Sequence, residues 1–415
     1  MDYQVRAVDS LLDDLMESSA AISLDGPKGV GKTNTAMRRA NSAWLLDDRD
    51  RRALLEADPS VMTSSPGTVL LDEWQLLPPV WDLVRRDVDA GAPAGRYLLT
   101  GSASPASARG THSGAGRILS LRLRPMAIFE RGGTDPTISM SALMSADAPI
   151  SGETTWGLSD YLREITRSGF PGLLDLPDRV VRLQLDSYLT RIIDRDIPEL
   201  GTQVRRPETL RRWIAAYAAA SSTTTTFTKI TEATTGGDGT SPAKTTAISY
   251  RDHLTQLFLL DEVPAWSPSR VSLGRLQQAP KHQLADPALA ARAMSLTASS
   301  LASPRGAHMV GPLLESLATL SVRVASQAVD ATTGHLRGRD GTREVDLIAE
   351  GPDGQIVAFE VKLSRTVRDE DVRHLLWLRE QMPEDIADLV VLTTGPTAYR
   401  RKDGVAVVPL ALLGV

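Results

Sequence analysis

The stretch Gly26-Pro27-Lys28-Gly29-Val30-Gly31-Lys32-Thr33 decides the fold of the first part of this chain. Its spacing is that of a phosphate-binding loop, in which backbone N–H groups surround phosphate oxygens, the lysine reaches the terminal phosphates and the hydroxyl ligates Mg²⁺. Residues 20–24 predict a buried strand before the loop. Residues 33–43 predict a helix after it, so a phosphate would meet the positive end of a helix dipole. We predict that these residues, together with Asn34, bind a nucleoside triphosphate; a glycine-rich turn without a ligand is the alternative.

The composition is that of a globular protein with more than one domain. The chain has 415 residues, of which 42% are hydrophobic, 23% charged and 5% aromatic, and this length exceeds one typical core. The lack of cysteine excludes disulfides, thiolate catalysis and cysteine zinc sites. The net charge of −5 gives no overall signal for nucleic acid, although it is compatible with a local basic groove. With no recognisable signal peptide or membrane-length apolar run, we expect a cytoplasmic protein without a membrane partner.

The order of the predicted elements indicates three domains and an α/β fold class. Residues 1–135 alternate strands and helices, as parallel α/β sheets do, with strands over 20–24, 43–46, 68–71, 97–100 and 118–123. Residues 155–270 show mostly helical periodicity after a connection rich in Gly, Pro, Ser and Thr. Residues 281–415 predict an α/β domain in the order helix, three strands, helix and two strands.

Acidic and hydroxyl side chains follow two later strands of the N-terminal domain. An apolar strand ends in Asp72 and Glu73. Asp72 would hold Mg²⁺ together with Thr33, and Glu73 would act as the base that polarises the attacking water. The next strand ends in Thr100 and Ser102, either of which would sense the γ-phosphate. A strand capped by solvated acids and ordinary turn chemistry are the alternatives.

These motifs resemble those of P-loop ATPases that insert an extra strand between the phosphate-loop strand and the acidic strand, and residues 1–130 look like an AAA-type ATPase module. The resemblance implies ATP and Mg²⁺ as cofactors. It also implies a homo-oligomer, at least when ATP is bound, in which an arginine of one subunit completes the site of its neighbour. Arg109 and Arg117 are the candidate arginines. The absence of an Asn-Lys-x-Asp motif disfavours a GTPase, whereas a small-molecule kinase would use the same loop.

A predicted hairpin in the C-terminal domain is the second informative region. Apolar residues alternate along both of its strands, and a shared buried face requires Leu347 to lie opposite Phe359. This register places Asp346 across from Glu360, with Lys362 next on the same face. It also requires an odd number of residues in the turn, or a bulge.

The two carboxylates would hold a second divalent metal, Mg²⁺ or Mn²⁺, for phosphodiester cleavage, and Lys362 would orient water or stabilise the developing charge. The surrounding order of elements resembles the PD-(D/E)xK nuclease fold. Asp346 matches the Asp, Glu360-Val361-Lys362 matches the (D/E)xK, and Glu315 on the preceding helix matches the extra acid of some members. A hairpin with a charged outer face, or a nuclease-like fold without cleavage, is the alternative. Without a cation, the closeness of the two acids should raise the pKa of one of them unless Lys362 compensates.

Three further sequence segments contribute to a resemblance that spans most of the chain: Leu123-Arg124-Pro125-Met126-Ala127-Ile128-Phe129-Glu130, Ser168-Gly169-Phe170-Pro171 and Tyr188-Leu189-Thr190-Arg191-Ile192-Ile193-Asp194-Arg195-Asp196-Ile197. The whole resembles a family of prokaryotic predicted AAA-type ATPases with a C-terminal domain of unknown function. The resemblance implies a winged-helix-like middle part and a nuclease-like tail. We therefore expect a Mg²⁺-dependent ATPase that acts on or near nucleic acid, with DNA as the expected partner. A nucleotide-operated switch whose tail binds a partner without cleavage is one alternative, and a metabolite kinase is another.

Overall fold

Residues 3–103, 114–201, 204–235, 242–268, 279–338 and 341–415 are described by the structure, a computed structural model. The chain forms two compact units. Unit 1 comprises Met1–Arg124, Phe170–Gly172 and Asp252–Leu259, and unit 2 comprises the remaining residues. No helix among the described residues is long and apolar enough to cross a bilayer.

Unit 1 is built on a parallel sheet of five strands: β1 (Ala21–Asp25), β2 (Ser42–Leu45), β3 (Val69–Asp72), β4 (Tyr97–Gly101) and β5 (Leu119–Arg122). All five predicted strands are present, with ends shifted by at most one residue. The strand order is β2-β3-β4-β1-β5, and its strand pairs are parallel. Because β4 separates β1 from β3, the predicted extra strand between the phosphate loop and the acidic strand is confirmed.

Helices cover this sheet, and their bounds are α1 (Ala7–Met16), α2 (Lys32–Met37), α3 (Arg49–Ala57), α4 (Ser60–Thr63) and α5 (Pro79–Asp89). β1, β3 and β4 are buried along their whole length, as expected for parallel strands with both faces covered. Trp74 and Trp81 pack against each other with ring centroids 4.5 Å apart and fill the core beside β3 and β4. The sheet is therefore a rigid base for side chains at its carboxyl edge.

Unit 2 contains a sheet of seven strands in the order β7-β12-β13-β11-β10-β9-β8, and β14 pairs with β6. The strands are β6 (Ile138–Ser139), β7 (Gly152–Glu153), β8 (Thr332–Arg337), β9 (Glu344–Glu350), β10 (Ile356–Lys362), β11 (Ile386–Thr393), β12 (Thr397–Arg400), β13 (Ala406–Pro409) and β14 (Leu413–Gly414). In the hairpin of β9 and β10, Leu347 pairs with Phe359 and Glu350 pairs with Ile356. The predicted register is confirmed, and the five residues between these strands form the expected odd-numbered turn.

The remaining helices are α6 (Met140–Met144), α7 (Leu158–Arg167), α8 (Asp178–Arg191), α9 (Ile197–Glu199), α10 (Pro207–Ala219), α11 (Phe227–Glu232), α12 (Lys244–Gln256), α13 (Pro287–Ala293), α14 (Ala298–Leu301), α15 (Val310–Gln327) and α16 (Asp369–Gln381). α15, β8, β9, β10, α16 and β11 follow one another in the order predicted for the C-terminal domain. α16 covers one face of the sheet through Val372, Leu375 and Leu378, which belong to its core.

The two compact units cross the predicted domain boundaries at two places, and the boundaries themselves remain a prediction. Residues 125–135 belong to unit 2, because Met126 N donates to Gly169 O at 2.7 Å and the buried guanidinium of Arg131 pairs with Glu164 at 3.2 Å. The middle and C-terminal parts share unit 2. There, α13 packs against α7, α8, α10 and α15, and periodicity within one segment does not reveal such packing.

The middle of the chain differs from expectation in one further respect. The predicted connection contains β6 and β7, which pair with β14 and β12 of the C-terminal part. After α12, antiparallel bridges pair Leu260 with Leu284 and Val263 with Lys281. The winged-helix-like middle part stays a prediction.

Candidate functional site

The phosphate loop joins β1 to α2 at the carboxyl edge of the unit 1 sheet. Gly29 and Gly31 adopt φ values of 79° and 102°, in the left-handed region that favours glycine. A Cβ added at Gly26 would lie 2.2 Å from Leu123 O. Both the loop conformation and its contact with the chain after β5 therefore require glycine.

Lys32 begins α2 and is 5% exposed. Its Nζ donates to the carbonyl oxygens of Gly26 at 2.9 Å and Pro27 at 3.0 Å. Burial lowers the pKa of Lys32 to about 8, although Glu73 and Asp72 act in the opposite direction. The ammonium thus meets neutral carbonyls, and an added anion would stabilise its charge.

Asp72 is held at the end of β3 by two hydroxyls. Thr33 Oγ1 donates to Asp72 Oδ1 at 2.7 Å, and Thr100 Oγ1 donates to the same oxygen at 2.5 Å. Burial raises the pKa of Asp72 despite these two hydrogen bonds. A carboxylate and a hydroxyl oxygen in contact are the hard donors that Mg²⁺ prefers, so these residues fit the predicted metal.

Glu73 follows Asp72 with a φ of 52°, a left-handed conformation that is strained for a residue other than glycine. Its N–H donates to Thr100 Oγ1 at 3.1 Å, and its carboxylate accepts from Ser102 Oγ at 2.7 Å. Gln75 Nε2 donates to both the Glu73 carboxylate and Ser102 Oγ. The structure therefore brings together the predicted base and the predicted sensor and adds Gln75, which no motif in the sequence indicated.

A buried arginine outside the predicted set supports the loop. Arg6 is 4% exposed, and its guanidinium donates to Val30 O at 3.2 Å and Arg124 O at 2.8 Å. These contacts join the N-terminal segment, the phosphate loop and the chain after β5. Arg6 is 24 residues from Val30 in sequence, so no local spacing could have predicted the contact.

The structure separates the predicted catalytic arginine from the loop. Arg117 precedes β5, and its Nε donates to Asp89 at 2.8 Å. Since β5 runs parallel to β1, Arg117 lies toward the amino edge of the sheet. Arg122, at the carboxyl edge, is in register with Asp25, and its Cζ lies 4.0 Å from the Phe258 ring centroid. Arg109 lies outside the described residues.

The predicted C-terminal residues gather at one end of β9 and β10. Val361 N donates to Asp346 Oδ2 at 2.9 Å, and Lys362 Nζ donates to Glu360 Oε2 at 2.7 Å. Glu315 reaches the same cluster through Lys281, whose Nζ donates to Glu315 Oε1 at 2.8 Å and to Asp346 Oδ1 at 3.0 Å. Sequence analysis missed Lys281.

The protonation of the cluster follows from burial and from its internal charges. Burial and Asp346 raise the pKa of Glu360 well above its ordinary value, and burial raises that of Glu315 to about 8. Burial would also raise the pKa of Asp346, but Lys281 and Lys362 outweigh it, and the pKa is lowered. The pKa of one paired acid, Glu360, is thus raised as expected, with burial as the larger cause and the charge of Asp346 as the second.

The pKa of Lys281 is likewise set by burial and by neighbouring charges, which act in opposite directions. Burial alone would lower its pKa, but Asp346, Glu315 and Glu344 together hold it above the ordinary value. Among the described residues, no group of three or more ligating side chains has an arrangement suited to a metal ion. The second divalent metal therefore remains a prediction.

Three family models match separate parts of the chain. Residues 18–131 match an AAA domain, residues 158–300 match a domain of unknown function (DUF8612), and residues 310–413 match a domain of unknown function (DUF4143). The first match covers all five strands of the unit 1 sheet. It supports ATP binding by this part of the chain.

Two curated relatives are similar to most of the chain. They are Uncharacterized protein Mb2031c of Mycobacterium bovis and Uncharacterized protein Rv2008c of Mycobacterium tuberculosis, each 25% identical over 323 residues. The match covers 74% of this chain and 64% of each relative. The chain therefore matches less than two thirds of the length of these relatives.

A solved structure, the Walker-type ATPase PABY2304 of Pyrococcus abyssi, aligns with 70% of this chain and 96% of its own, at 13% identity and a TM-score of 0.36. This score is low, so the fold assignment depends on the AAA domain match and on the observed strand order. Both agree with the geometry of the loop and of the acids on the neighbouring strand. Residues 18–131 are therefore a P-loop AAA-type domain, and residues 310–413 match a C-terminal domain of unknown function (DUF4143).

Proposed function

We propose that the AAA-type domain binds ATP with Mg²⁺ and hydrolyses it. The observation that carries this proposal is the convergence of Lys32, Thr33, Asp72 and Glu73 at the carboxyl edge of one parallel sheet. Ligands of open α/β sheets bind at this edge. The site thus combines a cation for phosphate, oxygen donors for a metal and a carboxylate for water.

Each residue has a distinct role in the proposed reaction. The loop N–H groups and the Lys32 ammonium would bind the β- and γ-phosphates, and the hydroxyl of Thr33 and the carboxylate of Asp72 would hold Mg²⁺. When bound, Mg²⁺ neutralises charge on the phosphate oxygens. Glu73 would accept a proton from water as the water oxygen attacks the γ-phosphorus and ADP leaves.

The contacts of Glu73 suggest how the γ-phosphate is sensed. Ser102 and Gln75 donate to the Glu73 carboxylate, and both also have the donors needed for a phosphate oxygen. We propose that Ser102 and Gln75 donate to the γ-phosphate instead of to Glu73 when ATP is bound. The Glu73 carboxylate is then free to accept a proton from water. Thr100 is held by Asp72 and by the Glu73 N–H, which favours Ser102 as the sensor.

The Glu73→Gln variant tests hydrolysis. Turnover should fall by about 10²–10⁴-fold, because an amide cannot accept the proton, whereas binding of a fluorescent ATP analogue should persist. Phosphate release measures turnover. Glu56→Gln, which changes an exposed acid of the same unit, is the matched control. Equal turnover in Glu73→Gln and wild type would remove Glu73 from the mechanism.

The separation of Arg117 from the loop supports an oligomeric site. Arg117 and Asp89 are 47% and 39% exposed, and exposed ion pairs contribute little, so Arg117 is available to a neighbouring subunit. Arg122 lies at the carboxyl edge, and its charge influences Lys32 and Asp25. We propose that Arg122 acts within its own subunit and that Arg117 acts on a neighbour in an ATP-bound homo-oligomer.

Mixing variants separates these two roles. Arg117→Ala and Lys32→Ala should each be inactive, and their mixture should regain activity because one subunit supplies the loop and the other the arginine. Arg122→Ala mixed with Lys32→Ala should stay inactive. Light scattering of Glu73→Gln with ATP at micromolar concentration should show an oligomer. A monomer under these conditions would contradict the assembly.

Two functions are proposed for the C-terminal domain. The grouping of Asp346, Glu360 and Lys362 supports Mg²⁺- or Mn²⁺-dependent cleavage of DNA, as in the PD-(D/E)xK nucleases that the domain resembles. The contact of Lys281 with Glu315 and Asp346 favours the second function, a nucleotide-operated switch that binds its partner without cleavage. Metal-dependent DNA cleavage by wild type that is lost in Asp346→Ala would establish the first function.

A further inference from the structure

The backbone around Lys281 fixes its side chain against the carboxylates. Lys281 N donates to Val263 O at 2.9 Å, and Val263 N donates to Lys281 O at 3.0 Å. His335 of β8 contacts the carbonyl of Ala279 at 3.0 Å through Nε2. Lys281 is 1% exposed. The main-chain hydrogen bonds of Lys281 therefore fix the position from which its buried ammonium reaches the carboxylates.

The ammonium has a carboxylate for each of its donors. Nζ lies 2.8 Å from Glu315 Oε1, 3.0 Å from Asp346 Oδ1 and 3.4 Å from Glu344 Oε1. An ammonium has three N–H donors and no acceptor. Lys281 therefore binds Asp346, one of the two acids of the predicted metal site, together with Glu315, the predicted extra acid, and it adds Glu344 as a third carboxylate.

The charges of the cluster are close to balanced without a metal. It contains four carboxylates and three cations: Glu315, Glu344, Asp346, Glu360, Lys281, Lys362 and Arg337. With every group ionised, the charges of these seven residues sum to −1. A divalent ion added beside Lys281 would bring excess positive charge into a buried site, and such charge is costly unless it is paired.

We propose that the ammonium of Lys281 is the resident cation of this cluster and occupies the place in which a divalent metal would bind Glu315 and Asp346. The cluster then binds no Mg²⁺ or Mn²⁺ while Lys281 is present. Removing Lys281 leaves the acids as a vacant site of oxygen donors, which suits these ions. This inference deepens the partner-binding function proposed for the C-terminal domain and does not depend on ATP hydrolysis.

A Mn²⁺ titration of the full chain tests the proposal, with free Mn²⁺ measured by electron paramagnetic resonance and no nucleotide present. Wild type and Asp346→Asn should bind the same amount of Mn²⁺, because Asp346 is already neutralised by Lys281. Lys281→Met should gain one Mn²⁺ per chain. That gain should disappear in Lys281→Met/Asp346→Asn. The N-terminal site is unchanged in all four proteins, so its own binding cancels in the comparison.

Two results would overturn the proposal. One is Mn²⁺ binding by wild type that Asp346→Asn loses, and the other is a folded Lys281→Met with no gained site. If Lys281→Met does not fold, Lys281→Gln keeps a hydrogen-bond donor while removing the charge, and the comparison of wild type with Asp346→Asn still decides the first result. Because no ATP is present, a failure here is distinct from a failure of the proposed hydrolysis.

Discussion

Lys32 and Lys281 are two buried lysines, each near carboxylates, but their partners differ. Lys32 is 5% exposed and donates to the carbonyl oxygens of Gly26 and Pro27. Lys281 is 1% exposed and donates to carboxylates, of which Asp346 lies 3.0 Å away. Burial lowers the pKa of Lys32 to about 8, whereas the acids around Lys281 raise its pKa despite burial. A buried cation therefore indicates an anion-binding site only when carboxylates of the same protein do not already neutralise its charge.

The comparison assigns opposite roles to two sites with similar residue types. In unit 1, a phosphate bound as proposed would stabilise the lysine charge further. In unit 2, the charge is already compensated, and the lysine stabilises the fold. Substitutions of Lys32 and of Lys281 should therefore have different effects on the free energy of unfolding and on the affinity for nucleotide. The dependence of nucleotide affinity on pH should come from Lys32.

The largest expected difference is in stability. Lys281→Met should lower the free energy of unfolding by about 3–5 kcal/mol, because it leaves buried carboxylates without their cation. Lys32→Met should leave stability unchanged or raise it, since burial disfavours the Lys32 charge. Urea denaturation followed by circular dichroism measures both. Arg337→Met, which removes a half-buried ion pair with Glu344, is the control. Equal destabilisation by the two lysine variants would contradict the different roles assigned to Lys32 and Lys281.

A third buried cation, Arg6, tests whether carbonyl partners always mark a ligand site. Its contacts with Val30 O and Arg124 O join separate segments, so Arg6→Met should cost about 1.5–3 kcal/mol, as expected for hydrogen bonds from a charged group. The affinity for ATP should fall with it, because the loop loses a support.

The control for this experiment is Arg86→Met. Arg86 is exposed in the last turn of α5, and its removal should change stability by less than about 0.5 kcal/mol. An Arg6→Met protein with unaltered stability and unaltered ATP affinity would show that Arg6 does not position the loop.

The smallest expected difference is in pH dependence. The proposed nucleotide binding requires protonated Lys32, and burial lowers the pKa of this lysine to about 8. As pH rises from 7 to 9, Lys32 loses its proton and the affinity for a fluorescent ATP analogue should fall about tenfold. Lys32→Arg stays charged over this range, so its profile should be flat. A flat profile in wild type would contradict the lowered pKa.

Much of the fold was predictable because it is encoded locally. The loop glycines, the apolar strands and the alternation around Leu347 and Phe359 each depend on neighbouring residues, and the structure reproduces all of them. The register also brought Asp346 and Glu360 into one cluster, as alternation requires.

What sequence analysis missed depends on contacts between distant segments. Lys281 is 34 residues from Glu315 and 65 from Asp346, and nothing in its own segment indicates that its ammonium is buried. Gln75 and Arg6 also belong to no motif. The middle and C-terminal parts share one compact unit in which α13 packs against other helices, and periodicity cannot show such packing.

The difference between the two lysines is decided by equilibrium binding of a fluorescent ATP analogue with Mg²⁺ to wild type, Lys32→Met and Lys281→Met. Circular dichroism first establishes that each sample is folded. We predict saturable binding by wild type and Lys281→Met with the same affinity, and loss of binding by Lys32→Met. Equal affinity in Lys32→Met and wild type would contradict the account, because Lys32 would then not be the cation that receives the phosphates.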